Sequence, residues 1–225
     1  MRAVILSMLL LFSLGIAAQD EDEYKMDIGA GAGMVSYEGD FNGSVLKDMQ
    51  PVFTLSSRWI FNPRMAARLN VSYGKLKGSS ADVDTYFPEF EEQPYEFDNK
   101  LVDVGLRFEY NFLPYGTGRE YRGAKPLTPF VALGIGATNV SGDGYSEFTL
   151  NVPFAVGVKY KLKPRVNLGL EWAIHFSMSD LLDGKKDPYF VKSSGAFKNK
   201  DCYSALQLTL SYDIMPKCKI CNKDE

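Results

Sequence analysis

His175 is the only histidine in this chain of 225 residues, so any acid–base chemistry that needs an imidazole must use it. On an extended strand, His175 shares a face with Glu171 and Ser177. Serine, histidine and a carboxylate are the side chains that acyl hydrolases combine. The same alternation directs His175 towards the interior of a barrel, and we expect a buried histidine bonded to a neighbouring carboxylate. No residue is predicted to be catalytic.

Three cysteines are the other candidates for chemistry. Cys218 and Cys221 lie near the C-terminus, and Cys202 opens the last predicted strand. A C-x-x-C pair can form a local disulfide, exchange electrons or bond to a partner, and a metal site would need two more ligands. Thioredoxin-like redox activity needs a βαβ context that this sequence lacks. We expect a Cys218–Cys221 disulfide or a bond to a periplasmic protein, and we predict no metal and no cofactor.

The charge balance excludes whole classes of function. The sequence has 25 Lys and Arg against 28 Asp and Glu, which gives a net charge of -3. A nucleic-acid-binding protein needs a basic stripe, and this balance does not supply one. The mean hydropathy of -0.17 is too polar for a bundle of membrane helices. We therefore predict no nucleic-acid partner, and no small-molecule substrate is evident.

The N-terminus has the pattern of a secretory signal peptide. A positive start at Arg2 precedes an apolar run over 3–18 that ends in small residues, and acidic residues follow. The run is shorter than the ~20 residues that a membrane-spanning helix needs. We predict a signal peptide over 1–18, an acidic N-terminal segment over 19–24, a β-barrel over 25–214 and a periplasmic tail over 215–225.

The rest of the chain alternates with a period of two. Over 102–112, every even position is apolar or aromatic, and the odd positions are Asp, Gly, Arg, Glu and Asn. A strand places these two sets on opposite faces, whereas a helix would mix them. Eight segments follow this pattern: 25–36, 52–61, 64–76, 102–112, 127–138, 152–162, 166–177 and 204–214.

The connections between these segments alternate in length. Tight turns are predicted at 62–63 and 163–164. Four connections are long and polar: 37–50, 77–98, 139–151 and 178–201. The exception is 113–126, a link with glycine and charged residues on the rim of the tight turns. Short turns on one rim and long loops on the other are typical of a bacterial outer-membrane barrel. We predict an all-β fold, an eight-stranded antiparallel up-and-down transmembrane β-barrel, in the cell outer membrane with both termini in the periplasm.

A soluble barrel would show the same alternation, with its apolar face inside. Two features favour a membrane barrel whose apolar face contacts outer-membrane lipid. The polar face carries glycine, serine and charges of both signs, which suit the interior of a narrow barrel. Aromatic residues also lie near the predicted strand ends, where they suit a membrane interface: Tyr37, Trp59, Tyr73, Tyr110, Tyr160, Trp172 and Tyr212.

The polar face predicts a network of paired charges in the lumen. Buried charges are stable only when they are paired, and eight strands leave room for side chains but not for an open channel. The candidate cations are Arg58, Arg68, Arg107 and Lys159, and the candidate carboxylates are Asp27, Asp103, Glu109, Glu171 and Asp213.

Short motifs occur in order along nearly the whole mature chain. They are YEGDFN from Tyr37, NPR from Asn62, EYNFLPY from Glu109, TPFV from Thr128 with GIG from Gly134, PFAVGVKY from Pro153, LGLEW from Leu168 and SDLLDG from Ser179. Together these motifs resemble the PorG-like family of small outer-membrane β-barrels, which includes a component of the type IX secretion system of Bacteroidetes.

The resemblance implies a structural role. In that system the lipoprotein PorK and its partner PorN build a periplasmic ring, and the family's barrel is associated with this ring. PorK and PorN are therefore the implied partners, with the link 113–126 and the cysteine-bearing tail as docking surfaces. Two other roles stay open: a lipid-modifying enzyme that uses His175 as its base, and a receptor or adhesin that acts through loops 77–98 and 178–201.

Overall fold

The structure is a computed structural model that describes residues 24–38, 48–79, 96–116, 124–142, 144–179, 182 and 201–216. Each strand pairs with the next in antiparallel fashion, and the last pairs with the first, so the sheet closes into a barrel. The predicted eight-stranded antiparallel barrel is confirmed. Its strands are β1 (Tyr24–Glu38), β2 (Gln50–Asn62), β3 (Met65–Ser79), β4 (Glu96–Asn111), β5 (Leu127–Gly142), β6 (Tyr145–Lys163), β7 (Val166–Ser177) and β8 (Cys202–Pro216).

The barrel wall is apolar outside and polar inside. On β4, Leu106 and Phe108 are 48% and 49% exposed, whereas Arg107 and Glu109 beside them are 2% and 0% exposed. Large apolar side chains face outward in the same way on every strand. A continuous apolar surface of this size is not stable in water and marks a membrane-facing wall.

The two ends of the barrel differ. We call the end with the tight turns 63–64 and 164–165 the turn end, and the opposite end the loop end. The link between β4 and β5 also lies at the turn end. The loop end carries the connections that follow Glu38, Ser79, Gly142 and Ser177.

Most strands extend further towards the loop end than predicted. β4 begins at Glu96, inside the predicted loop 77–98, and β5 and β6 run through the predicted loop 139–151. In these extensions the apolar residues move to the inward face: Phe97 and Leu101 are buried, whereas Lys100 is exposed. A prediction that requires apolar residues on the outward face therefore ends these strands too early.

Apolar side chains fill the loop end of the lumen. This loop-end cluster consists of Val35, Tyr37, Val52, Leu76, Phe97, Leu101, Val140, Leu182, Tyr203 and Ala205. Tyr37 belongs to it, so its predicted place at the membrane interface is wrong: its side chain points inward and is 0% exposed. The prediction failed there because β1 continues past the membrane-facing belt, and beyond the belt the apolar side chains lie on the inward face of the strand.

Several predicted features lie outside the described residues. These are the signal peptide over 1–18, Cys218 and Cys221. Cys202 is described; it opens β8 as predicted and is buried as a free thiol. Among the described residues, no helix has the length and apolar character needed to cross a membrane.

Candidate functional site

A network of ion pairs occupies the lumen, and Glu109 on β4 lies at its centre. Its carboxylate is 2.9 Å from Nε of Arg58, 3.0 Å from Nε of Arg68 and 2.7 Å from Nζ of Lys159. These cations come from β2, β3 and β6, because inward positions of all strands converge on the barrel axis. One buried carboxylate thus connects distant parts of the wall.

The network extends from this centre in two directions. Arg58 also binds Asp27 on β1 at 2.6 Å. Arg68 also pairs with Glu171 on β7, and the other oxygen of Glu171 lies 2.7 Å from Nη1 of Arg107. The ion pairs therefore join β1, β2, β3, β4, β6 and β7 through the lumen.

The cations of the described lumen are all paired. Lys161, which the sequence analysis did not select, pairs with Asp213 near the turn end. The buried cations are Arg58, Arg68, Arg107, Lys159 and Lys161, and the buried carboxylates are Asp27, Asp103, Glu109, Glu171, Asp201 and Asp213. Each of these cations forms at least one ion pair with one of these carboxylates. Among the described residues, no group of His, Cys, Asp or Glu could hold a metal.

Asp103, which was predicted to belong to the charge network, forms no ion pair with an arginine or lysine among the described residues, and Nδ1 of His175 lies 3.7 Å from its Oδ2. Its Oδ2 accepts hydrogen bonds from Thr138 at 2.9 Å, from Asn151 at 2.7 Å and from the hydroxyl of Tyr203 at 2.9 Å. Neutral donors from β5, β6 and β8 thus hold this carboxylate. Its role is to fix the positions of these polar side chains beneath the loop-end cluster.

His175 connects this polar group to the ion pairs. Its Nε2 lies 3.0 Å from Nη2 of Arg107, and its Nδ1 lies 2.9 Å from the hydroxyl of Tyr203. The imidazole also stacks on the Tyr203 ring, with centroids 4.4 Å apart. A guanidinium can only donate, so Nε2 accepts and the proton is on Nδ1, which donates to Tyr203. The expected bond from His175 to a carboxylate is therefore relayed through Tyr203 to Asp103.

The side chains that could form a hydrolase triad are not arranged as one. His175 points into the lumen and is 3% exposed. Glu171, four residues before it, is engaged by two arginines, and the hydroxyl of Ser177 donates to Thr149 at 3.4 Å. A lipid in the membrane cannot reach this imidazole from outside the wall.

Leu182 helps to close the loop end of the lumen. It is 0% exposed and lies within the loop-end cluster. Its N–H donates to Asp201 and its carbonyl accepts from the amide of Asn99, both at 2.8 Å. The hydroxyl of Tyr37 donates to the other oxygen of Asp201 at 2.5 Å. These bonds hold a residue from the connection between β7 and β8 in the barrel mouth.

Tyr115, in the link between β4 and β5, closes the turn end. Its N–H donates to the carbonyl of Pro63 at 2.9 Å, and its hydroxyl donates to Asn167 at 2.8 Å. The Nζ atoms of Lys159 and Lys161 lie 5.7 and 5.6 Å from its ring centroid. Burial raises the pKa of the Tyr115 phenol, so the hydroxyl remains a donor. The link thus places an aromatic ring beneath the ion pairs.

Sequence reasoning missed three residues of the lumen. Lys161 and Tyr203 could have been found, because the period of two in β6 and β8 places both on the inward face. Tyr203 is moreover the cross-strand partner of His175. Tyr115 carries no comparable signal, since it lies in a connection without a regular alternation.

Comparisons with known proteins agree with this architecture. A family described as "Domain of unknown function (DUF6089)" matches residues 2–223, and no curated protein matches the chain. The chain is similar to the crystal structure of Neisserial surface protein A (NspA), with 16% identity, coverage of 84% of this chain and 97% of that chain, and a TM-score of 0.51. It is also similar to a major outer membrane protein from Thermus thermophilus, with 14% identity, coverage of 84% and 99%, and a TM-score of 0.48. At these identities the likeness concerns the fold alone.

Proposed function

The chain belongs to the DUF6089 family, and we propose that it is a non-enzymatic outer-membrane barrel that anchors the periplasmic ring of the type IX secretion system. One observation carries the proposal: the lumen is filled by paired charges and is closed at both ends. A barrel of this kind acts through its surfaces, since the described side chains of its interior fill the lumen and leave neither a passage nor a binding site among them.

Four layers of side chains argue against a channel. From the turn end to the loop end, they are the ring of Tyr115, the ion pairs around Glu109, the polar group around His175 and the loop-end cluster. The ring of Tyr115 is part-buried and the other three layers are buried, and every cation of the charged layer is paired with a carboxylate. Ion or solute passage would require several of these contacts to break together.

The geometry of His175 argues against a lipid-modifying enzyme. A general base must reach the proton that it removes, and this imidazole is inside the wall with both nitrogens engaged. The lipid-modifying alternative needs His175 as its base, and lipid cannot reach this side chain through the described wall.

The turn end offers the surface for a periplasmic partner. The predicted signal peptide over 1–18 and the long connections at the opposite end favour a periplasmic turn end. Among the described residues there, the exposed charged side chains are all cations: Lys25, Arg64, Lys125, Lys163 and Arg165. These described cations, which we call the basic rim, favour association with an acidic protein surface by steering and complementarity.

The partners follow from the family resemblance. It implies the ring lipoprotein PorK and its partner PorN, and the described ends of the link, 113–116 and 124–126, lie at the turn end where such a ring would approach. The C-terminal tail with Cys218 and Cys221 starts from the same end, because β8 ends there at Pro216. In this proposal the lipid-facing belt fixes the barrel, and the rim holds the ring.

Co-purification under mild detergent tests the proposal. We expect the solubilised barrel to recover PorK and PorN, and loss of the barrel to block export of secreted enzymes. Lys125→Glu with Lys163→Glu on the rim should reduce recovery, whereas the matched double reversal Lys75→Glu with Lys100→Glu at the loop end should not. Normal export without the barrel, or no ring protein in the eluate, would contradict the proposal.

Two further arms separate the remaining alternatives. Recovery that falls with reductant, and in Cys218→Ser with Cys221→Ser, would indicate a disulfide to the partner; unchanged recovery would indicate a non-covalent contact. A receptor or adhesin role predicts instead that shortening loops 77–98 and 178–201 abolishes function while ring recovery is normal.

A further inference from the structure

A group of lysines lies on the outer wall at the upper edge of the lipid-facing belt. Three lysines point outward. Lys75 and Lys77 lie on the same outward face of β3 as Tyr73, and Lys100 lies on the same outward face of β4 as Val102. Tyr73 and Val102 are the last belt residues on their strands and are 54% and 42% exposed. The lysines therefore begin where the apolar surface ends, at the depth of lipid headgroups.

The cations in this group are placed against one another. Lys75 and Lys100 are direct cross-strand partners, and like charges in that relationship destabilise a sheet. One carboxylate lies close to these two lysines. Asp98 is 3.1 Å from Nζ of Lys75, and the side chains of Asp98 and Lys75 are about half exposed. Within the described part of the chain, neither Lys77 nor Lys100 forms an ion pair or a side-chain hydrogen bond. Asp98 is also the cross-strand partner of Lys77, and Glu96 is exposed on the same face. Three cations therefore face two carboxylates, and Lys100 has Lys75 and Ser141 as its cross-strand partners.

Neutral hydrogen-bonding groups extend the surface on the neighbouring strands. Ser141 on β5 is the cross-strand partner of Lys100, and Ser146 on β6 is the partner of Ser141. Both hydroxyls lie next to Asn139, with Ser146 donating to its Oδ1 at 3.1 Å. Directly below, Phe148 is 67% exposed. The surface combines cations, hydroxyls and an amide with an apolar wall beneath them.

We propose that Lys75, Lys77 and Lys100 bind the phosphate groups of a phosphorylated glycolipid of the outer leaflet. Ammonium groups near a membrane surface attract anionic headgroups, and an intervening phosphate relieves the repulsion between Lys75 and Lys100. The serines and Asn139 contact the sugar, and the acyl chains lie along Val102 and Phe148. The outer leaflet is the source because the loop end is taken to face outward. The site does not depend on the secretion role.

Native mass spectrometry of the folded full-length barrel in a neutral detergent tests this site. Bisphosphorylated lipid A is the probe, with dephosphorylated lipid A and phosphatidylglycerol as the two comparisons. The variant is Lys75→Gln with Lys77→Gln and Lys100→Gln. The matched control removes three exposed lysines from the turn end: Lys25→Gln with Lys125→Gln and Lys163→Gln. Heat-modifiable gel mobility verifies that each barrel is folded.

At low ionic strength, the triple variant should bind bisphosphorylated lipid A about 100-fold more weakly, since each lysine near an anionic headgroup contributes roughly a factor of five. Lys100→Gln alone should weaken binding about fivefold, and the turn-end control should bind as the wild type does. Unchanged binding by the triple variant would overturn the site. Equal binding of dephosphorylated lipid A would overturn the phosphate contact, and equal binding of phosphatidylglycerol would overturn the assignment to the outer leaflet.

Discussion

The guanidinium of Arg107 donates to Nε2 of His175 across 3.0 Å, and this contact fixes the histidine as a neutral ring with its proton on Nδ1. The ring then donates to Tyr203 at 2.9 Å. A second proton on the imidazole would set two donors against each other. The single histidine of the chain is therefore a relay between the ion pairs and the polar group around Asp103.

Replacement of His175 should affect stability according to hydrogen-bonding capacity. His175→Leu leaves buried groups of Arg107 and Tyr203 without a partner, and we expect the free energy of unfolding to fall by about 3 kcal/mol. His175→Gln, whose amide can accept and donate, should lose about 1 kcal/mol. Urea unfolding in lipid vesicles, followed by tryptophan fluorescence, gives both values. Equal losses for the two variants would contradict the relay.

Glu109 should be the most sensitive carboxylate of the lumen. Glu109→Gln leaves Arg58, Arg68 and Lys159 with too little negative charge, and removal of one partner from a buried ion pair costs about 3–5 kcal/mol. The matched control is Asp98→Asn, which breaks the exposed pair with Lys75 and should cost less than about 1 kcal/mol. The same unfolding measurement compares them. A Glu109→Gln barrel as stable as the Asp98→Asn barrel would show that the ion pairs add little.

The barrel and its inward charges could be predicted because one physical constraint acts on every residue of the belt. Lipid outside and a narrow lumen inside require polar and apolar residues to alternate with a period of two. The alternation alone therefore predicts that Arg107 and Glu109 point inward. The same rule placed His175 inside. The bonding partners of the inward side chains could not be predicted, because the alternation gives the direction of a side chain and not the groups that it contacts. Asp103 faces inward as expected but bonds neutral groups rather than a cation.

The extensions at the loop end show where this constraint stops. Above the belt the wall leaves the hydrocarbon layer for the polar headgroups and water, so Lys100 is exposed and Leu101 is buried, as in a soluble barrel. If apolar residues are expected on the outward face along the whole strand, a loop is predicted where the strand in fact continues. Tyr115 was missed for a related reason. It lies in a connection between strands, where residues do not alternate, and its ring reaches the lumen only because the connection folds back towards it.

The outward belt should reject charge in a depth-dependent way. Ile135 on β5 is 70% exposed and lies in the belt. Ile135→Arg should lower the free energy of unfolding in vesicles by about 2–4 kcal/mol, because a cation at this depth leaves water. The matched control is Ser141→Arg, on the same face of β5 but above the belt, which should cost less than about 1 kcal/mol. Equal costs for the two arginines would mean that β5 does not face lipid.

Gly134 on β5 should resist even the smallest substitution. A Cβ there would collide with the carbonyl oxygen of Leu106 and lie 2.7 Å from Cα of Arg107, and backbone atoms of a neighbouring strand cannot move aside. Gly134→Ala should therefore cost about 3 kcal/mol or prevent folding. Gly105 on β4 is the matched control, since a Cβ there meets nothing closer than 3.8 Å, and Gly105→Ala should change stability by less than about 1 kcal/mol. Heat-modifiable mobility and urea unfolding distinguish the two. A folded Gly134→Ala barrel of wild-type stability would mean that β4 and β5 do not approach this closely.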